Sequence, residues 1–230
     1  MKRKAVGGLV SVSILLALDA AADPARYAIE TFDGTLDRAS WRSGPADAIV
    51  PEGGNDDGHL STGPIVTDMP SLATSGMPTP FTGLYRMMGV ADLGVDLQVF
   101  ATDSSDGDRP LTLELTRDDC AVIKVGKRIA SSERRWASYT FKVPAYMTSI
   151  PNAWTVRGAC GVLSQDAAWN FVMQFVTEAR FVLGDPGVRY PEESWDVGFD
   201  NPRIKVGGKG DSGGVAAPET VPGTKSPSAS

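Results

Sequence analysis

Apolar side chains recur at every second position in several separate stretches of this 230-residue chain, and that period demands strands with one buried face. Leu111, Leu113 and Leu115 alternate with Thr112, Glu114 and Thr116. Val95, Leu97 and Val99 do the same against Asp96, Gln98 and Phe100, as do Ala137, Tyr139, Phe141 and Val143 against Trp136, Ser138, Thr140 and Lys142. Phe171, Met173 and Phe175 repeat the period, and Arg180 to Leu183 opens a further run. Turn chemistry punctuates them at Asp103–Pro110, Gly126–Lys127, Ser149–Asn152 and Gly184–Gly187. Gln165 to Phe181 admits a second reading, because Ala167, Phe171, Phe175 and Ala179 fall four apart as on a helix. Its aromatic and β-branched content and its setting among strands predict strand. Many short strands in a chain of this size predict an all-β fold, an antiparallel β-sandwich of the jelly-roll type.

The ends of the chain differ in kind. Lys2-Arg3-Lys4, the apolar run Ala5–Leu18 and the small residues Ala20-Ala21-Ala22 predict an export signal over residues 1–22, too short for a confident membrane span. A retained anchor is the competing reading. Residues 207–230 carry paired glycines, three prolines and several serines with almost nothing to bury, and predict a disordered tail. Residues 23–206 are left as one domain, enough for one core. Loss of the signal removes three positive charges and one negative, taking the net charge from −6 to −8. Such a surface argues against nucleic acid and anionic membranes. The expected location is secreted or periplasmic, with no membrane span after cleavage.

Export bears on the cysteines. Cys120 and Cys160 either pair as a disulfide in an oxidising compartment or sit as two separate buried thiols. With His59 the only histidine, they are not a zinc site.

Both ends of the predicted domain carry motifs. The first strand reads Glu30-Thr31-Phe32-Asp33-Gly34, followed by Trp41 and Gly44, and the last reads Trp195-Asp196-Val197-Gly198-Phe199-Asp200-Asn201-Pro202-Arg203-Ile204. Val50 to Asn55 leads into His59-Leu60-Ser61, and Phe81-Thr82-Gly83 into Tyr85. This pattern resembles jelly-roll carbohydrate-binding modules and related bacterial exported domains, and distantly the laminin IV domain. Pro202 departs from the apolar residue usual at that place, which implies an edge or bulged strand. The resemblance implies a structural calcium between the first and last strands, held by Asp33 and Asp200. It also implies recognition of a glycan or other extracellular polymer. Flat rings with polar neighbours suit sugars, so Tyr85, Trp154, Trp169, Tyr190 and Trp195 are the candidate ligand-binding residues. The acidic glycine loops 55–58 and 103–108 are weaker metal candidates.

Catalysis is poorly supported. His59 lacks a nucleophile elbow. For glycoside hydrolysis the tempting carboxylates are Glu114 with Asp118 or Asp119, and Glu192 with Glu193, which as strand neighbours face opposite ways. The expected function is a non-catalytic binding module. A structural or adhesive surface protein is the alternative, and a glycoside hydrolase the second.

Overall fold

A computed structural model describes residues 26–32, 40–45, 47–55, 57–74, 76, 78–104, 108–130 and 134–207. The expected export signal, Asp33 and the tail from residue 208 lie outside the described residues.

The alternating runs form two antiparallel sheets packed face to face. The first holds β1 (Arg26–Ile29), β3 (Ala48–Val50), β4 (His59–Ser61), β5 (Ile65–Thr67), β7 (Val90–Thr102), β10 (Ala137–Lys142) and β13 (Glu193–Val206). Its centre is β13, which pairs along one side with β7 and along the other with β5, β4 and β1 in turn. The second sheet runs β11 (Thr155–Gly158), β9 (Cys120–Ile129), β8 (Arg109–Arg117), β12 (Glu178–Leu183), β6 (Ser71–Thr74), β2 (Trp41–Arg42). Leu93, Val95, Leu97 and Val99 face Leu111, Leu113, Leu115, Phe181 and Trp41 across one continuous core. This is the expected β-sandwich. Pro202 sits in a central strand, at the register shift between Asp200 and Arg203, so the chain bulges there.

Two local expectations are corrected. Gln165–Gln174 is a helix, α2, and strand begins only at Glu178. Ser164 caps it, its hydroxyl accepting the Ala167 N–H at 3.2 Å, and Ala168, Trp169, Val172 and Met173 form its buried stripe. Gly126–Lys127 is no turn, because β9 continues through it, with a register shift against β8 at that point. A side chain at Gly126 would stand 2.8 Å from the Phe141 ring, so close packing explains that glycine. The turn is at Asp118–Asp119, where Asp118 adopts a φ of 53°. Tyr85 opens a one-turn helix, α1 (Tyr85–Met88), for which the sequence carried no expectation.

Cys120 and Cys160 form a disulfide, tying the start of β9 to the loop before α2. Among the described residues no helix is long and apolar enough to cross a membrane.

Candidate functional site

Four of the five rings expected to meet a ligand are core residues. Tyr85 and Trp169 have no exposed surface, Trp195 has 1% and Trp154 4%. A ring without a free face cannot stack on a sugar. The Tyr85 hydroxyl donates to the Phe81 carbonyl at 2.7 Å, and burial raises its pKa. Trp154 and Trp169 pack edge to face, 5.1 Å between centroids. Trp195 lies under the guanidinium of Arg109, which Tyr190 covers from the other side, at 4.6 and 4.3 Å. Arg109 is itself buried and pairs with Glu193. Tyr190 alone keeps partial exposure.

The hydrolase groupings are separated too. Glu114 lies on a sheet face, whereas Asp118 and Asp119 occupy the exposed turn at the end of β8. Glu193 is taken up by Arg109.

What the second sheet offers instead is an outward face of mixed character, with Glu114, Thr116, Glu178 and Arg180 half-buried and Thr112, Ile123 and Val182 buried. Its inward residues are Leu111, Leu113, Leu115, Ala179, Phe181 and Leu183, so Thr112, Glu114, Thr116, Glu178, Arg180 and Val182 face away from the core. Cross-strand pairing aligns Thr155, Ile123, Glu114, Arg180, Ala73 and Arg42 in one row across all six strands. Five inter-strand spacings of ~4.8 Å make that row roughly 24 Å long. The segment after β12 folds over one side of this face. The Gly184 carbonyl accepts the Thr112 hydroxyl at 2.7 Å, and two residues later the Pro186 carbonyl accepts from Arg157 Nη1 at 3.0 Å. The Asp185 carboxylate takes the Gly187 N–H at 2.7 Å and holds this strap in shape. The strap therefore borders the outward face at Thr112 and Arg157, beside Glu114 and Arg180.

The electrostatics of this face are specific. Arg180 Nη2 pairs with Glu178 at 2.8 Å, while the Arg180 Nε–H is buried without a partner among the described residues. Burial raises the pKa of Glu114, with Arg180 opposing and Glu178 reinforcing the shift. The accessible part of the set is the rest of the Arg180 guanidinium and the Glu178 carboxylate beside Glu114, groups of the kind that make charge-assisted hydrogen bonds. Glu114 was visible in the sequence as an outward residue. Arg180 was not, because its place in the row depends on strand pairing.

On the opposite sheet a buried polar network anchors the 51–58 loop. Asp96 accepts from Ser138 Oγ at 2.6 Å, Asn55 Nδ2 at 2.7 Å, Arg203 Nη1 at 2.8 Å and Asn201 Nδ2 at 3.1 Å. Asp200, expected to hold calcium, accepts the backbone N–H groups of Asn55 and Asn201, each at 2.7 Å. Among the described residues no three His, Cys, Asp or Glu side chains gather as a metal site. Hard oxygens do crowd this loop. A Cβ at Gly54 would stand 2.9 Å from Asp200 Oδ2, and one at Gly58 2.5 Å from the Phe32 carbonyl and 3.1 Å from that of Val50. Those are donors of the kind calcium takes.

No protein-family model matches the chain, and no curated protein matches it. Among solved structures it is similar to an exo-β-agarase at 15% identity, over 76% of this chain and 24% of that one, with a TM-score of 0.46. It is also similar to the family 11 carbohydrate-binding module of Clostridium thermocellum, solved with a β-1,3-1,4-mixed-linked tetrasaccharide: 14% identity, 79% of this chain, 96% of the module, TM-score 0.41. The L4b domain of human laminin α-2 gives 9% identity, 73% and 96% coverage, and a TM-score of 0.39. The chain spans about a quarter of the agarase and nearly all of the other two. At these values any reading of the outward face rests on its own residues.

Proposed function

We propose that the chain is an exported, non-catalytic module that binds a glycan on the outward face of the six-stranded sheet. The observation that carries this reading is the charged row on the outward face, where the part-exposed Arg180 guanidinium stands opposite Glu114 and pairs with Glu178. A sugar hydroxyl accepts from Arg180 and a neighbouring hydroxyl donates to a carboxylate, while the 184–190 strap borders the face on one side. Recognition is therefore polar, in place of the expected aromatic stacking.

The test is binding of the purified chain to mixed-linkage β-glucan, mannan and agar oligosaccharides, and to a wider glycan array. Arg180→Met is expected to weaken binding about 10–100-fold, the range for a hydrogen bond to a charged group. Folded protein that binds no glycan, or that binds equally well after Arg180→Met, overturns this reading.

Calcium belongs to the same proposal. Asp200 and the carbonyls of Phe32 and Val50 would hold it, joining the first strand to β13 and stiffening the scaffold. About 1 mM calcium is expected to raise the melting temperature, and a chelator or Asp200→Asn to remove the gain. An unchanged melting temperature in wild type would eliminate the ion.

A further inference from the structure

The other sheet also carries recognition chemistry on its outward face. There Gln98 and Phe100 of β7 and Asp196 of β13 point away from the core and stay half-buried, whereas Asp96, Asp200 and His59 on the same side are buried, Asp96 and Asp200 by their bonds to Asn55. Gln98, Gly198 and Ser61 stand in one cross-strand row. Over Gly198 three rings close together. A Cβ there would lie 2.7 Å from Phe100, 2.8 Å from Trp136 and 3.0 Å from His59. Their centroids are 5.2–5.9 Å apart and their planes are steeply inclined.

His59 is 5% exposed, but Phe100 and Trp136 are half-buried and keep ring surface in solvent. Trp136 is held by its Nε1–H, which donates to the Gly53 carbonyl at 2.9 Å. Beside the rings stand Gln98 and the half-buried Asp196, whose carboxylate lies 3.5 Å from the Ser61 hydroxyl. The His59 Nδ1 is buried without a partner among the described residues. Rigid apolar ring surface edged by a carboxylate and an amide is complementary to a pyranose, whose apolar face stacks while its hydroxyls bond at the edge.

We propose that this face is a second glycan-contact surface, so that one copy of the chain engages two glycan strands and cross-links them. The inference rests on the reading proposed for the six-stranded sheet. The two faces point away from each other with about 10 Å of packed core between the sheets, so a strand lying on one does not reach the other. Two weak sites on opposite faces give polymer avidity without any further contact.

The experiment is titration calorimetry of the full chain with three probes, the mixed-linkage β-glucan tetrasaccharide, mannotetraose and agarotetraose, alongside turbidity of the matching polymers. Wild type is expected to bind two oligosaccharides per chain and to cloud the polymer. Trp136→Ala should weaken one site about tenfold, reduce the count to one and abolish clouding. Asp196→Asn, which leaves the rings and the Gly53 contact in place, should weaken the same site. Arg180→Met should remove the other. One site per chain, lost on Arg180→Met and untouched by Trp136→Ala or Asp196→Asn, overturns this inference and leaves the site on the six-stranded sheet standing. One site lost on Trp136→Ala and indifferent to Arg180→Met overturns the site on the six-stranded sheet and with it the cross-link. No binding to any probe overturns both.

Discussion

Asp96→Ala is expected to cost about 3–5 kcal/mol, the largest single effect in the molecule. Four donors converge on this carboxylate, from the 51–58 loop, β10 and both sides of the β13 bulge. Its side chain is 4% exposed, so removing it strands the buried Asn201 amide and takes the carboxylate from the half-buried Arg203 guanidinium. Denaturant unfolding measures the loss, and a shift below about 1 kcal/mol would show that the donors find other acceptors. The network also sets a pH dependence. Burial pushes the Asp96 carboxyl up, but Ser138, Arg203, Asn55 and Asn201 together outweigh it and hold its pKa below the ordinary value. The unfolded chain therefore binds this proton more readily than the folded one. Stability from Asp96 is complete above the unfolded pKa of about 4 and is lost as pH falls through the folded value. Asp96→Ala should flatten that acid limb.

Removing the disulfide should cost nearly as much. Cys120 and Cys160 are 40 residues apart, and closing a loop of that length restricts the unfolded chain by about 4 kcal/mol in the entropic model. The double variant Cys120→Ala/Cys160→Ala should unfold at correspondingly lower denaturant, and reduction of the wild type should reproduce the shift. A variant as stable as the oxidised protein would mean that the β9 start and the α2 approach are already ordered when unfolded.

The period-two runs made most of this fold legible, because a strand with one buried face writes its burial directly into alternate residues. Leu111, Leu113 and Leu115 needed nothing else. Where helix and strand both fit the apolar pattern, at Gln165–Gln174, the deciding feature was a single capping oxygen on Ser164. The rings were harder. An aromatic residue looks the same in sequence whether it fills the core, as Trp195 does, or rims a face, as Trp136 does. Trp136 was legible only as the outward neighbour of Ala137, and its partners His59, Phe100 and Gly198 come from three strands far apart in the chain. The charged row is invisible for the same reason. It takes one residue from each of six strands, and no spacing within the chain encodes that register.

The position of β13 has a consequence for how the molecule is made. Every other strand of its sheet except β3 and β10 pairs directly with it, yet residues 193–206 come last in chain order among the described strands. Until they emerge, β1, β4 and β5 have no central neighbour and their pairings span most of the chain. Long-range pairing of this kind closes slowly, since loop entropy is spent before contacts repay it. A chain arranged in this way stays threadable through a narrow pore for as long as its final strand is still held back.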